Sequence, residues 1–112
     1  MATPTEIAQA QLDAYNTQAL DAFCGYFSDD IVVADFNGAT SLTGIAAYRA
    51  KYAGVFAEFP ENKVELLGRI VVGNTVIDHE RVRRSPSAAS FDVAAIYTMK
   101  EGKIARVDFV KA

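Results

Sequence analysis

The sequence predicts a single α+β domain, residues 1–112, in which early helices cover one face of a curved antiparallel sheet. Three observations carry this. Apolar residues recur at helical spacing over residues 5–27 and 44–58. From Val64 to Val110 the pattern changes to strands, separated by the turn pairs Gly73-Asn74 and Glu101-Gly102 and by Ser85-Pro86-Ser87. Between the two helical regions lies one further strand-like run, Ile31-Val32-Val33, bracketed by Asp29-Asp30 and Asn37-Gly38.

In chain order, Ile7, Leu12, Tyr15, Leu20, Phe23 and Phe27 share helical spacing, with Gln9, Gln11, Asp13 and Gln18 between them. Thr5 is the expected N-cap and Glu6 a first-turn acid suited to the helix dipole. Asn16-Thr17 interrupts the pattern, so a long helix to about Asn16 and a short one from about Ala19 are expected. Residues 39–44, ATSLTG, read as a polar connection. The next helix, 44–58, gathers Tyr48, Tyr52, Val55 and Phe56 on one side and stops before Pro60, because a residue preceding proline disfavours the helical region. Four strands follow as a meander: Val64–Val72, Thr75–Arg83, Phe91–Met99 and Lys103–Val110. A single sheet of this size must bury one face, and only the helices can cover it. Helices on a curved sheet leave a cavity at the open end, where a function would sit.

The totals exclude several classes. A net charge of −3 lacks the basic face that nucleic acid requires. No apolar run approaches the roughly 20 residues of a membrane span, and the N-terminus carries no cationic-then-apolar secretion signal. The lone cysteine, Cys24, has no internal disulfide partner and reads as an inert core thiol. A cytoplasmic protein is expected. One histidine and one cysteine do not make a metal-ligand set, and no glycine-rich loop leads into a helix, so neither a metal nor another cofactor is expected.

Three places offer chemistry. Asp35, at the end of the first strand, is either a base looking into the cavity or an exposed helper of the Asn37-Gly38 turn. Tyr15 is either a hydrogen-bond donor to a ligand or a core tyrosine bonded internally. In Thr75–Arg84, alternation sets Asp78, Glu80 and Val82 on one face and Ile77, His79 and Arg81 on the other. Asp78, His79 and Glu80 therefore cannot converge on one centre. Either Glu80 or His79 enters the cavity, depending on a register that the Ser85–Ala89 loop leaves open by one residue. Tyr52, Phe56, Asp78, Ala95, Tyr97, Val107 and Phe109 complete the expected ligand-binding lining.

The passages QLDAYN, AFCGYFSDDIVVADFNG and GKIARVDFV, with a glycine before the third helix, resemble the nuclear transport factor 2-like superfamily, which includes ketosteroid isomerases and SnoaL-like cyclases. The resemblance implies a cone-shaped α+β barrel of cystatin-like type and a homodimer. Set beside the isomerases, Asp35 matches their proton-shuttling aspartate, Tyr15 the tyrosine that donates to the dienolate oxygen, and Tyr52 a supporting tyrosine. Ala95 stands where a second oxyanion donor would be, and Phe27 where another tyrosine would be. Two functions stay open. One is an isomerase- or cyclase-like enzyme acting on an apolar carbonyl compound through Asp35, Tyr15 and either Glu80 or His79. The other is a non-catalytic module for a small apolar molecule, or for assembly, on the same scaffold.

Overall fold

Thr3, rather than Thr5, opens the first helix. In the computed structural model, which describes residues 2–112, Thr3 Oγ1 accepts from the Glu6 amide at 3.2 Å and Glu6 Oε1 accepts from the Thr3 amide at 2.9 Å. This reciprocal cap precedes Pro4, whose fixed φ suits a first helical position. Helix α1 (Pro4–Asn16) and helix α2 (Leu20–Gly25) are joined through Gln18, which takes φ 55°. Strand β1 (Phe27–Asp35) begins directly after α2, so Phe27 belongs to the sheet rather than to a helix. The segment expected to be a connection contains a strand, β2 (Thr40–Thr43), paired antiparallel with β1. Neither of its threonines disfavours a strand, but only pairing with Val32 and Val33 fixes it as one. Gly44, at φ 88°, then turns the chain into helix α3 (Ile45–Glu58), a conformation that a side chain would strain.

The meander follows as expected: β3 (Lys63–Val72), β4 (Thr75–Arg83), β5 (Phe91–Lys100) and β6 (Lys103–Lys111). The six strands form one open sheet in the order β2-β1-β6-β5-β4-β3. All neighbours are antiparallel except β1 and β6, which run parallel, with Val33 opposite Val107 and Asp35 opposite Phe109. The sheet is thus mixed and not closed, while the α+β class and the helical cover are as read from the sequence. Bulges at Val33/Ala34, Leu66/Gly68 and Thr98/Met99 bend the strands around the helices.

The core lies between the helices and the inner sheet face. Phe23 is its hub, with ring centroids of Tyr15, Phe27, Tyr48, Tyr52 and Phe56 5.0 to 6.0 Å away. The pairs with Tyr15, Tyr52 and Phe56 are edge-on, and aromatic pairs add about 0.5–1.5 kcal/mol each beyond area burial. Cys24 is buried and free. Asn16 anchors the end of α1 by behaving as a strand partner: its amide donates to the Val64 carbonyl at 2.9 Å and accepts from the Val64 amide at 2.8 Å. Tyr15 is thereby held against the start of β3 and the end of β4. Among the described residues no helix is long and apolar enough to cross a membrane.

Candidate functional site

A cavity of about 420 Å³ opens between α1, α3 and the inner faces of β4, β5 and β6. Its floor is set by alternation along β4. Val76, Asp78, Glu80 and Val82 are buried on the inner side, whereas His79 and Arg81 are exposed on the outer side. The register is fixed by β5, where Glu80 faces Val93, Asp78 faces Ala95 and Val76 faces Tyr97.

Glu80 and Asp78 share this face but not an environment. Asp78 is fully buried and gripped by the Arg69 guanidinium, Nε to Oδ1 at 2.7 Å and Nη2 to Oδ2 at 3.0 Å, from the directly opposite position on β3. Arg69 also donates to Gln9 Oε1 of α1 at 3.0 Å, so this two-toothed pair ties the helix to the sheet. Glu80 lines the cavity and has no ion-pair or hydrogen-bond partner among the described residues. Burial, then the neighbouring Asp78 charge, pushes its carboxyl up from 4.5 to about 8, against a smaller downward pull from Arg69. At neutral pH most of this group is therefore uncharged. An apolar wall and a like charge next door are what a proton-transferring carboxyl requires.

Tyr15 enters from α1. Its hydroxyl oxygen accepts from the Asn62 side-chain amide and from Arg84 Nη1 at 3.3 Å. With both lone pairs engaged, the phenolic proton is the part left to donate. Burial raises the Tyr15 pKa and the Arg84 charge works against that rise, so the group is a neutral donor across the ordinary pH range. Glu80 is close enough for its charge to act on the phenols of Tyr15, Tyr52 and Tyr97. Tyr97 accepts from Gln11 Nε2 at 3.1 Å, and Tyr52 and Phe109 complete the apolar wall.

Several expected site residues stand elsewhere. Asp35 does not line the cavity: its side chain is 57% exposed, 3.5 Å from Lys111 Nζ. It opens the β1–β2 turn, with the Gly38 amide donating to its carbonyl at 2.9 Å and Asn37 at φ 57°. Solvent and a turn occupy the position that an apolar pocket would need. His79 faces outward, its Nε2 2.9 Å from Asp92 Oδ2, because strand alternation gives the inner side to its neighbours. Phe56, Ala95 and Val107 are buried in the core beneath the cavity rather than on its surface, and Asp78 is sealed behind Arg69. Tyr15, Glu80, Tyr52, Tyr97 and Phe109 are brought together.

Sequence reasoning missed Asn62, Arg84 and Lys51. Arg84 continues the inner-face series 78, 80, 82, and Lys51 lies three residues from Tyr48 on the helix face that looks inward, so period alone pointed to both. Asn62 carries no such signal, because it sits in the loop after Pro60.

Comparison with known proteins places this geometry. The profile of the SnoaL-like domain matches residues 8–107. An uncharacterized cystatin-fold protein from Novosphingobium aromaticivorans is 32% identical, with 99% of this chain and all of that one covered and a TM-score of 0.91. Two further structures share the fold at lower identity. A candidate polyketide cyclase from Sinorhizobium meliloti is 24% identical, covers 97% of this chain and 100% of its own, and has a TM-score of 0.79. A candidate ketosteroid isomerase from Kribbella flavida is 14% identical over 97% of this chain and 77% of its own, with a TM-score of 0.82. None of the curated proteins matches the sequence. The profile spans nearly all of the helical cover and the sheet that build the cavity, and the chain belongs to the SnoaL-like family.

Proposed function

We propose that the protein is a small enzyme that moves a proton at a carbon beside the carbonyl of an apolar molecule, in the manner of an isomerase or cyclase. Glu80 carries the proton and Tyr15 donates to the carbonyl oxygen. The observation that supports this most directly is the Glu80 carboxyl, buried and unpaired on the cavity wall with its pKa near 8. In its ionised form Glu80 takes a proton from the carbon, and the C–H electron pair becomes the enolate. The enolate oxygen gathers negative charge, which the Tyr15 O–H steadies by a hydrogen bond. Glu80 then returns the proton to the same carbon or to a conjugated one. This assigns to Glu80 the role expected of Asp35, and leaves Tyr15 in the role implied by the family resemblance.

The test is incorporation of deuterium from D₂O into apolar ketones, followed by NMR. Exchange should rise with pH and level off above about 8, and Glu80→Gln should slow it by about a hundredfold or more. A variant exchanging at the wild-type rate would overturn the assignment. A second reading, binding without chemistry, is favoured by Ala95, which has no donor to offer where a second oxyanion contact would fall. It predicts that ligands are retained while no exchange occurs in the wild type.

The reading extends to assembly and setting. Ile70, Ile77 and Ile96 form one cross-strand row on the outer sheet face, which supports pairing of two copies there. A sedimentation run showing only monomer would remove that part. The buried free thiol of Cys24 is in keeping with a reducing cytoplasm.

A further inference from the structure

The mouth of the cavity is cationic, and beyond the contact of Arg84 with Tyr15 the proton-transfer scheme does not use that charge. Three basic side chains line it: Lys51 from α3, Arg84 just beyond β4 and Lys111 near the end of β6. They arrive there for separate reasons. Arg84 packs against the rings of Phe59 and Phe91, its guanidinium carbon 5.3 and 5.5 Å from their centroids, while Nη1 donates to Tyr15. Lys51 lies over the Tyr52 ring at 5.4 Å. Lys111 shares the inner face and cross-strand row of Val93 and Glu80, two strand spacings or about 10 Å from Glu80 along the sheet.

Their counter-charges are few. Among the described residues no carboxylate lies within ion-pair distance of Lys51 or Arg84, and Lys111 has only the exposed Asp35 at 3.5 Å. The other acidic side chains on the wall do not neutralise them. Asp92 is engaged by His79 and Arg81, and Glu80 is largely protonated at neutral pH. Lys51 is held below the ordinary lysine range by partial burial and by repulsion from Lys111 and Arg84, against a smaller opposite pull from Asp35. Three like charges gathered around one opening repel one another, and an anion between them would relieve that cost.

Resting on the proton-transfer reading for the position of the carbonyl, we propose that the ligand is an apolar carboxylate. Its acid group sits at the mouth on the fork of Arg84 flanked by Lys51 and Lys111, and its apolar body lies inward on Tyr52, Tyr97 and Phe109. Arg84 is the anchor because two rings fix the plane of its guanidinium, and a planar carboxylate takes two parallel N–H donors from such a fork. Because Arg84 also touches Tyr15, a carbonyl on the Tyr15 hydroxyl lies within a few bonds of the carboxylate. The substrate class is then an apolar keto acid.

Binding of 2-naphthoate and of its neutral isostere 2-naphthamide to the intact protein, by calorimetry at low salt, tests the charge requirement without any turnover. Naphthoate should bind at least about tenfold more tightly, and added salt should erode the preference. Arg84→Gln should abolish it, and Lys51→Gln should reduce it while leaving the folded near-UV spectrum intact. If Arg84→Gln does not fold, Lys51→Gln and the salt series decide. Equal affinities, no binding of naphthoate, or a preference untouched by these changes would overturn the proposal. Failure of the catalytic reading looks different: selective naphthoate binding would persist while no ketone or keto acid exchanged deuterium.

Discussion

Replacing Glu80 by glutamine should make the protein more stable, and increasingly so as the pH rises. The folded chain holds the Glu80 proton up to about pH 8, whereas an unconstrained glutamate releases it near 4.5. Between those values the unfolded chain binds fewer protons than the folded one, so stability falls with rising pH, at about 1.4 kcal/mol per pH unit. Below 4.5 both states are protonated and this contribution is fully present; above about 8 it has been lost. From about pH 5 to about pH 8.5 the gap between Glu80→Gln and the wild type should widen by on the order of 4 kcal/mol, a large part of the 5–15 kcal/mol typical of a whole domain. Glutamine keeps the shape and cannot ionise, so titrations common to both proteins cancel in the difference. Urea unfolding of the two proteins across this range measures it. Parallel curves, or a gap that opens only below pH 5, would refute the account of a carboxyl kept neutral by its surroundings.

The other predictions concern residues whose surroundings differ from those of Glu80. Asp78→Ala leaves Arg69, only 13% exposed, without its carboxylate, and should cost about 3 kcal/mol or more in urea unfolding. Asp35→Asn loses only an exposed 3.5 Å contact, so stability should stay within about 0.5 kcal/mol and deuterium exchange into ketones should be unchanged. Thr3→Ala removes the oxygen that caps the Glu6 amide and should cost about 1 kcal/mol, with Thr3→Ser restoring it. Tyr15→Phe keeps the ring packed on Phe23 but loses the donor, and should slow exchange about a hundredfold with little change in ligand affinity.

The architecture was legible because it is written in local periodicity. Alternation from Thr75 to Arg83 grouped Asp78, Glu80 and Val82 on one face, and the pairing with β5 then made that face the inner one. What failed was whatever depended on a partner in another element or a turn rather than on the pattern of the run itself. Residues 40–43 carry no strand pattern of their own, and become a strand only because β1 offers an unpaired edge. Asp35 sits on an apolar strand, yet its exposure is decided by the turn that starts at Asp35 itself and by a sheet that extends no further over it. Asp78 and Glu80 are two residues apart and chemically alike. Only the guanidinium of Arg69, nine positions away across a hairpin, separates a structural carboxylate from one available to a ligand. Arg84 is held at the cavity by packing against Phe59 and Phe91, contacts that its own strand does not announce.

The parallel seam between β1 and β6 bears on how the molecule is made. Strand β6, the sixth in chain order, is not at a margin of the sheet but in its middle, bonded to β1 on one flank and β5 on the other. Until it arrives, the β1–β2 ribbon and the β3–β4–β5 ribbon have no strand to join them, and the two must wait for a partner some seventy residues downstream of β1. Such long-range closure is slow, and it makes removal of β6 a division of the sheet in two rather than a trimming of its edge.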